Sequence, residues 1–483
     1  MAVYKNYIGG RWVSSKGGLF DSLNPATEKS LGKFQKSTKQ DVDNAVSAAW
    51  KSYEKWRNVP APRRGETLLR VAQLLKENKE RLARLETAEM GKVLIEARGD
   101  VQEAIDVFEY MAGEGRRLLG STTPSELPKK ACMTFRQPIG VVGLITPWNF
   151  PIAIPAWKMS AALICGNAVV FKPSSDTPLC AIELVNILDA AGVPKGAVNL
   201  VTGSADPVGT AIVSHKDVRG ISFTGSRDTG LWITRNAGIK KVGLELGGKN
   251  GIIVMDDADM KLALDGVIWG AFGTTGQRCT ACSRVIVHRK VKEKFTNMLV
   301  ERAKHIRVGD GLKPSTDMGP LINKAALEKT HHYTEIGRQE GAKLVCGGIK
   351  LSKKGFFYAP TIFTNVHAGM RIAREEIFGP VLSIIEVSNL QEAIDAMNSV
   401  EYGLSSSIYT QNISNAFEAI EKIEAGITYV NSSTIGAEVH LPFGGVKQTG
   451  SGREAGIMGI DEFSEIKTVY IDFSGKLQKA QMD

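Results

Sequence analysis

The 483-residue chain has no long apolar run and only six cysteines. No stretch approaches the roughly 20 uninterrupted apolar residues that a membrane-spanning helix needs. The opening residues, MAVYKNYIGGRW, contain no apolar segment of the kind found in secretory signals, so we expect a cytoplasmic protein with no membrane partner. Six cysteines in so long a chain do not make a disulfide framework, which agrees with a reducing compartment.

Motifs for metal and nucleic-acid binding are also missing. The seven histidines form no H-E-x-x-H motif and the C-x-x-C pair at 279–282 has no second copy, so we expect no metal site. The net charge is +9, but lysine and arginine are scattered among aspartate and glutamate, without a basic tail or an RNA-binding signature. We therefore predict a mildly basic, solvated surface and no nucleic-acid partner.

The first third of the chain is predicted to be helical. The segment 41–56 and the run from Arg64 to Lys92 repeat apolar residues at a helical period. In the longer run, the residues expected to face the core are Leu68, Leu69, Val71, Leu74, Leu75, Leu82 and Leu85. The segment 121–140 interrupts this pattern with prolines and polar residues, and it is predicted to be a break or an extended arm.

Beyond residue 140, short apolar runs alternate with helix-length segments. This rhythm is typical of a doubly wound parallel sheet, covered on both faces, in an α/β protein of at least two domains. The predicted strands are VVGLI (141–145), AVVFK (168–172), VNLVT (198–202), GISF (220–223) and VGLEL (242–246). A second α/β segment runs from about Gly248 to about Lys447, with strands such as RVIVHR, SSIYT and GITYV, and the tail adds EIKTVYIDF.

Ligands of open α/β sheets bind beyond the carboxyl ends of the strands, so the segments that follow the strands are candidate sites. In TGSRDTG, after GISF, Gly225 and Ser226 stand at a strand-to-helix turn whose amides could hold a pyrophosphate. The spacing is not G-x-G-x-x-G, and a plain glycine-rich turn explains it equally well. Lys172 is the last residue of a predicted strand whose other residues are apolar, and its ammonium either reaches solvent or donates to a ribose or phosphate.

The segment GQRCTACS holds Cys279 and Cys282 in a C-x-x-C spacing. A redox pair of the thioredoxin type would open a helix near the start of a small domain, which does not fit this position. The interpretations that remain from the residues are a nucleophile at Cys279 or two buried, unreactive cysteines.

Seven segments in order resemble the NAD(P)-dependent aldehyde dehydrogenase superfamily: TPWNFP, FKPSSDTP, FTGS, LELGGKN, GQRCTACSR, EEIFGPV and PFGGVKQTGSGRE. They extend over nearly the whole chain. The resemblance implies a doubly wound cofactor domain from residues 1–120 and 141–247, and a catalytic α/β domain from residues 248–447. It also implies a small oligomerisation arm from residues 121–140 and 460–483.

The resemblance also implies roles for single residues. Cys279 matches the family's nucleophile, Glu245 its general base and Asn149 its oxyanion donor. The residues that match cofactor contacts are Trp148, Lys172, Gly225, Ser226, Glu376 and Phe378. Glu245 favours release of a free acid over transfer to coenzyme A. Cys282 matches no essential position, so it is either a packed side chain or the partner of Cys279 in an oxidative lock.

The resemblance leads to a cofactor preference. Family members that prefer NAD often carry glutamate where this chain has Ser175. A carboxylate there would repel the 2′-phosphate of NADP, whereas Ser174, Ser175 and Lys172 could bind it. We therefore predict NADP as the preferred cofactor, with NAD possible.

The substrate is predicted to be an aliphatic semialdehyde. Trp157 stands where many succinate-semialdehyde dehydrogenases have an arginine, and PIAIPAWK, GQRCTACSR and GAEVHLPFGG look closer to 2-oxoglutarate-semialdehyde (2,5-dioxopentanoate) dehydrogenases. Arg278 and His440 are candidates for contact with a polar substrate. Succinate semialdehyde, glyceraldehyde and broad specificity stay open, as do a thiol redox protein and a non-catalytic relative. The arm and the last strand imply a homodimer or homotetramer.

Overall fold

The computed structural model describes residues 1–482. In chain order the helices are α1 (Lys39–Trp56), α2 (Ala61–Glu77), α3 (Lys79–Met90), α4 (Leu94–Glu114), α5 (Ala153–Cys165), α6 (Pro178–Ala190), α7 (Thr210–Ser214), α8 (Arg227–Asn236), α9 (Met260–Phe272), α10 (Arg289–Lys304), α11 (Lys324–Gln339), α12 (Arg371–Arg374), α13 (Leu390–Asn398), α14 (Ile413–Lys422) and α15 (Met458–Glu462).

The strands are β1 (Asn6–Ile8), β2 (Arg11–Val13), β3 (Leu19–Leu23), β4 (Ser30–Gln35), β5 (Thr122–Pro124), β6 (Lys130–Pro138), β7 (Val141–Ile145), β8 (Ala168–Lys172), β9 (Val198–Leu200), β10 (Gly220–Thr224), β11 (Lys241–Glu245), β12 (Asn250–Val254), β13 (Cys282–His288), β14 (Lys343–Cys346), β15 (Thr361–Thr364), β16 (Val381–Val387), β17 (Tyr402–Gly403), β18 (Ser405–Tyr409), β19 (Ile427–Val430), β20 (Val446–Lys447), β21 (Gly450–Ser451) and β22 (Ser464–Asp472).

The first sheet is the doubly wound sheet that the sequence predicts. Its strand order is β2-β1-β9-β8-β7-β10-β11-β21, and the five strands from β9 to β11 are parallel. Buried side chains of β7 alternate between two cores: Val142 and Leu144 face one, and Val141 and Ile145 face the other. The order of strands reverses between β7 and β10, which is where sheets of this kind bind ligands.

The second sheet is also mostly parallel. Its order is β14-β15-β16-β13-β12-β18-β19, and only β14 runs antiparallel to its neighbour. Two further hydrophobic cores cover its faces. This confirms the predicted α/β class, with helices on both sides of parallel strands.

The segment 121–140 forms an antiparallel arm with the end of the chain. Strands β5 and β6 pair with each other, and β22 pairs with β6 in an unbroken register from Ser464 opposite Pro138 to Asp472 opposite Lys130. The arm strands expose large apolar side chains to solvent, among them Phe135, Ile466 and Tyr470.

The run from Arg64 to Lys92 is mostly helical, as predicted, and it divides at Asn78 between α2 and α3, where the Asn78 side-chain amide donates to the Leu74 carbonyl (2.9 Å). One predicted core residue in this run was wrong. Leu69, predicted to be in the core, is 54% exposed.

The strand predicted at 198–202 ends at Leu200. The reason is that Thr202 leaves the sheet: its backbone N–H donates to Asn6 Oδ1 (3.1 Å) and its hydroxyl donates to the Gln35 carbonyl (2.7 Å). Within residues 1–482, none of the helices combines the length and the apolar character needed to cross a membrane.

Candidate active site

The carboxyl ends of β7, β10 and β11 lie side by side in the first sheet, and the predicted site residues follow from them. Asn149 comes four residues after β7, Gly225 directly follows β10, and Glu245 is the last residue of β11. The Gly225 N–H donates to the Glu245 carbonyl (3.0 Å), which joins two of these ends. Cys279 reaches the same region from the turn before β13 of the second sheet.

Cys279 and Glu245 line one cavity of about 500 Å³. The cavity is bounded by acidic and aromatic side chains from several helices and loops; among them are Glu96, Asp100, Glu103, Phe150, Trp157, Trp269, Arg278, Phe443 and Glu454. The volume suits a small organic molecule. The fold therefore brings a thiol and a carboxyl group into one cavity, although the two residues are 34 positions apart in the sequence and are carried by different sheets.

The loop that carries Cys279 is held in a strained conformation. Thr274 and Thr275 both have left-handed backbone torsions (φ 51° and 60°), which branched side chains rarely adopt. The Glu96 carboxylate accepts hydrogen bonds from the Thr274 N–H (2.9 Å) and hydroxyl (3.1 Å), and Asn250 Nδ2 donates to the Cys279 carbonyl (2.6 Å). These contacts fix the position of the thiol before any substrate arrives.

Burial controls the ionisation of the thiol. It raises the pKa of Cys279 to about 12, and the nearby carboxylates of Glu245 and Glu376 add to the effect. At neutral pH the free site therefore holds a thiol, and the proton must be removed before the sulfur can act as a nucleophile.

The carboxyl group of Glu245 is buried among other charges. Burial raises its pKa well above the ordinary value, and Glu454 raises it further, whereas the Lys158 ammonium lowers it. Glu245 Oε2 has no hydrogen-bond partner among the described residues. Lys158 is fully buried; it forms an ion pair with Glu454 and donates to the Ser222 hydroxyl (2.8 Å). A raised pKa in a cavity is typical of a group that exchanges protons.

Asn149 is buried next to the nucleophile loop but is not among the residues that line the cavity. Its Nδ2 donates to the Gln277 carbonyl (3.1 Å), and its Oδ1 has no partner among the described residues. The contact orients the amide toward the turn that ends in Cys279, and it uses only one of the two N–H groups.

Lys172 and the serines after it form a polar group at the end of β8. Burial lowers the pKa of Lys172 to about 8, and its ammonium donates to the Pro173 carbonyl (3.0 Å). The Ser175 hydroxyl donates to the Gly203 carbonyl (2.9 Å). A buried ammonium with a single neutral partner fits an anion or a hydroxyl-rich ligand.

Gly225 and Ser226 form the turn between β10 and α8, and Ser226 caps α8. A side chain at Gly225 would come within 2.4 Å of the Phe223 ring, so the turn requires glycine. Open amides at the start of this ten-residue helix suit a pyrophosphate.

Trp148, Glu376 and Phe378 meet near the junction of the two sheets. The rings of Trp148 and Phe378 pack edge to face, with centroids 5.5 Å apart. Glu376 Oε1 accepts from the Gly248 N–H (2.8 Å). A side chain at Gly248 would lie 2.4 Å from the Cys279 carbonyl, so glycine lets this backbone approach the nucleophile loop closely. These residues fit the nicotinamide half of a dinucleotide.

Two other residues named in the sequence analysis, Cys282 and His440, do not line the cavity. Cys282 is buried in a core of the second sheet, where its thiol donates to the Arg284 carbonyl (3.3 Å), whereas Cys279 packs against a core of the first sheet. His440 is exposed, stands 3.6 Å from a Glu438 carboxylate oxygen and is not among the cavity-lining residues. Within residues 1–482, no group of three or more histidine, cysteine, aspartate and glutamate side chains is arranged to hold a metal ion.

The sequence reasoning missed Lys158, Glu454 and Glu96. Lys158 had a signal, because it is the only charged residue of the otherwise apolar α5. Glu454 had none beyond its place in the PFGGVKQTGSGRE segment, since its partner lies 296 residues away.

Comparison with known proteins identifies the family of the chain. A model of the aldehyde dehydrogenase family matches residues 12–469. The alpha-ketoglutaric semialdehyde dehydrogenase of Bacillus subtilis is 43% identical over 477 residues, covering 97% of this chain and 98% of its own. The 2,5-dioxopentanoate dehydrogenase of Saccharolobus solfataricus is 40% identical over 475 residues, covering 96% and 99%.

The fold also matches that of a solved structure. The crystal structure of betaine aldehyde dehydrogenase from Staphylococcus aureus in complex with NAD+ superimposes with a TM-score of 0.96 at 36% identity, covering 98% of this chain and 96% of that one. The family predicted from the seven sequence segments is thereby confirmed. The chain belongs to the aldehyde dehydrogenase family, whose members use NAD(P), and it is an oxidoreductase that acts on aldehydes.

Proposed function

We propose that the chain oxidises an aliphatic semialdehyde, with 2-oxoglutarate semialdehyde as the lead substrate, to the free carboxylic acid. The observation that carries the proposal is the shared cavity of about 500 Å³, which Cys279 enters from one sheet and Glu245 from the other. A nucleophile and a base in one small cavity are what two-step oxidation of an aldehyde requires.

In the first step, the Cys279 sulfur attacks the aldehyde carbon and forms a thiohemiacetal. Glu245 takes the thiol proton, because its carboxyl group shares the cavity and has one oxygen without a partner, and it releases this proton to solvent before the second step. The second amide N–H of Asn149 and the backbone N–H of Cys279 stabilise the oxyanion. One such donor typically contributes about 3 to 4 kcal/mol to the transition state.

A nicotinamide cofactor, when bound, would supply the hydride acceptor that the oxidation needs. The chain would hold it with the residues predicted for that purpose: Trp148, Lys172, Ser174, Ser175, Gly225, Ser226, Glu376 and Phe378. Loss of hydride leaves a thioester on Cys279. Glu245 then removes a proton from water, which attacks the thioester and releases the acid and the thiol, so Glu245 must be ionised at this step.

NADP is the proposed preferred cofactor, with NAD also accepted. Support comes from the end of β8, where Lys172 offers a positive charge and Ser174 and Ser175, whose hydroxyls would have to turn from their present acceptors to bind a phosphate, introduce no negative charge. The one carboxylate of this segment, Asp176, accepts from Asn323 Nδ2 (3.1 Å) and from Ser174, so its charge is already engaged. A glutamate introduced at Ser175 should shift the preference toward NAD, measured as the ratio of kcat/KM for the two cofactors.

The choice of 2-oxoglutarate semialdehyde as lead substrate is supported by two relatives, the alpha-ketoglutaric semialdehyde dehydrogenase and the 2,5-dioxopentanoate dehydrogenase. The two names denote the same substrate, and both relatives are at least 40% identical to this chain. The test is a panel of succinate semialdehyde, 2-oxoglutarate semialdehyde, glyceraldehyde, pentanal and betaine aldehyde, assayed with NADP and with NAD. The proposal fails if the carboxylated aldehydes are poorer substrates than pentanal. Cys279→Ala should abolish turnover and Cys282→Ala should retain it, which separates this chemistry from that of a thiol redox pair.

The domain roles and the oligomer are proposed as well. We assign cofactor binding to residues 1–120 and 141–247, catalysis to 248–447 and oligomerisation to 121–140 and 460–483. The exposed apolar side chains of the arm and the free edge strand β19 favour a homodimer or homotetramer, because unpaired edges and apolar patches seek partners. Light scattering coupled to size exclusion distinguishes the two. The cytoplasmic location expected from the sequence stays a prediction, which cell fractionation would test.

A further inference from the structure

The guanidinium group of Arg278 is clamped between two aromatic rings. Its central carbon lies 5.1 Å from the centroid of Phe150 and 5.0 Å from that of Trp269. Its Nε donates to the Thr274 hydroxyl (2.8 Å), which in turn donates to Glu96. A planar cation stacked on aromatic faces and tied at one nitrogen has lost most of its freedom, so it can bind a further ligand with little ordering cost.

Most of the carboxylates around Arg278 are engaged elsewhere. The nearest, Glu96, is 3.9 Å from Arg278 Nη2 and already accepts two bonds from Thr274. Asp100 pairs with Lys92 and accepts from the Ala153 N–H (2.7 Å).

Glu103 also lines the cavity, but it does not neutralise the guanidinium at neutral pH. Burial and the neighbouring Asp100 raise the pKa of Glu103 to about 8, so most of this side chain is protonated at pH 7. A protonated carboxyl group can donate a hydrogen bond to an anionic ligand instead of repelling it.

Arg278 is the only lysine or arginine among the cavity-lining residues in the described part of the chain. Its Nη1 has no hydrogen-bond acceptor there. Ile95 and Trp269 are 73% and 43% exposed and mark the open side of the cavity, and Arg278 is adjacent in sequence to the nucleophile. Arg278 and Cys279 line the same cavity, so an aldehyde bound at Cys279 lies close to this cation.

We infer that Arg278 binds the carboxylate of the substrate and is the residue that selects anionic aldehydes. The inference rests on the proposed function and adds the specificity determinant to it. The same clamp disfavours aldehydes that carry a quaternary ammonium group, because the guanidinium already covers the faces of Phe150 and Trp269 that would bind such a cation. Trp157 on α5, which packs edge-on against Phe443 (5.0 Å), offers no charge for this purpose.

The test compares Arg278→Met and Arg278→Lys with the unchanged enzyme on 2-oxoglutarate semialdehyde, pentanal and betaine aldehyde. The readout is the ratio of kcat/KM for the carboxylated aldehyde to that for pentanal. A charge-assisted, bidentate contact is lost in Arg278→Met, so the ratio should fall on the order of 10- to 100-fold, mainly through KM. Arg278→Lys keeps the charge but not the planar fork, so a smaller fall is expected. Betaine aldehyde should become a better substrate relative to pentanal in Arg278→Met.

Arg307→Met is the matched control, since this exposed arginine pairs with Asp317 far from the cavity, and its ratio should stay at the wild-type value. If Arg278→Met does not fold, the same ratio of kcat/KM is measured for Arg278→Lys and for Trp269→Leu, which removes one of the two aromatic rings that hold the guanidinium. An unchanged ratio in the Arg278 variants overturns the inference while the proposed substrate class stands. A wild-type enzyme that prefers pentanal overturns the proposed substrate class itself, so the two failures are distinguishable.

Discussion

Two fully buried lysines, Lys92 and Lys158, stand next to the same cavity, and they differ in what their carboxylate partners do. Lys92 lies 2.7 Å from Glu86 and 2.9 Å from Asp100, and Asp100 lines the cavity. Lys158 pairs with Glu454, which also lines the cavity. In both clusters a buried ammonium compensates carboxylates that burial would otherwise neutralise.

The cluster around Lys92 joins neighbouring elements. Its partners come from α3 and α4, and Asp100 accepts from the Ala153 N–H at the start of α5. The Lys92 ammonium also lies 3.8 Å from the centre of the Phe150 ring. Each of these contacts fixes the packing of one element against another.

The cluster around Lys158 joins distant parts of the chain and lies beside Glu245, a cavity residue with one carboxyl oxygen that lacks a hydrogen-bond partner. Glu454 and Ser222, which contact Lys158, are distant from it in the sequence. The charge of Lys158 also lowers the pKa of Glu245, whose Oε2 has no partner among the described residues. Glu86 in the Lys92 cluster also has an unpartnered oxygen, Oε2, but Glu86 does not line the cavity, whereas Glu245 does. The comparison teaches that a buried ion pair stabilises the fold where its carboxylates face the core, and tunes a reaction where one of the carboxylates near it faces the cavity.

The largest expected effect is that of Glu245→Gln. Turnover should fall on the order of 100- to 10,000-fold, because the amide cannot accept the proton of the attacking water. The free energy of unfolding should not fall, since the substituted carboxyl oxygen has no partner to lose. Steady-state kinetics and urea unfolding measure the two effects. Near-normal turnover would remove Glu245 from the role of base and make the two clusters alike.

Lys92→Met should show the opposite pattern. Removal of the ammonium leaves Glu86 and Asp100 buried without their cation, which typically costs about 3 to 5 kcal/mol of unfolding free energy. The pH dependence of kcat/KM for the folded fraction should keep its shape, because Lys92 does not act on Glu245. Denaturant unfolding and a pH–rate profile test this together. A shifted profile with unchanged stability would break the comparison.

Lys158→Met should move the pH–rate profile. The Lys158 ammonium lowers the pKa of Glu245, so its removal favours the protonated, inactive form of that carboxyl group. The acid limb of kcat/KM should therefore move to higher pH, by about one unit. The stability should also fall, since Glu454 loses its cation.

The matched control is Lys158→Met combined with Glu454→Gln. Glu454 raises the pKa of Glu245 and Lys158 lowers it, so removal of both charges should return the acid limb toward its original pH and recover part of the stability. A limb that stays in place in the single variant would show that Lys158 is structural, as Lys92 is.

These differences also show how far the sequence alone could lead. Strands β7, β8, β10 and β11 of the first sheet were predicted within about a residue, because strands buried on both faces read as continuous apolar runs. The prediction for β9 was two residues too long, and β1, β2 and β21 of the same sheet were not predicted. The break at Asn78 was not predictable from periodicity, since apolar residues continue at helical spacing through it. The family, and with it Cys279 and Glu245 as candidates, followed from ordered segments and not from the C-x-x-C spacing. The pairing of Lys158 with Glu454 could not be predicted, because ion pairs across 296 residues are visible only in the fold. The roles of the site residues stay predictions.

The smallest expected effect is that of Phe150→Leu, which separates the aromatic contact of Lys92 from its ion pairs. Phe150 lies under the Lys92 ammonium and also stacks on Arg278. A desolvated cation–π contact contributes about 1 to 2 kcal/mol, so this variant should lose that amount of unfolding free energy. In a double-mutant cycle with Lys92→Met, the two losses should not add, because the ring and the ammonium share one contact. Strictly additive losses would mean that the ring stabilises the fold by packing alone, and that the Lys92 cluster depends only on its carboxylates.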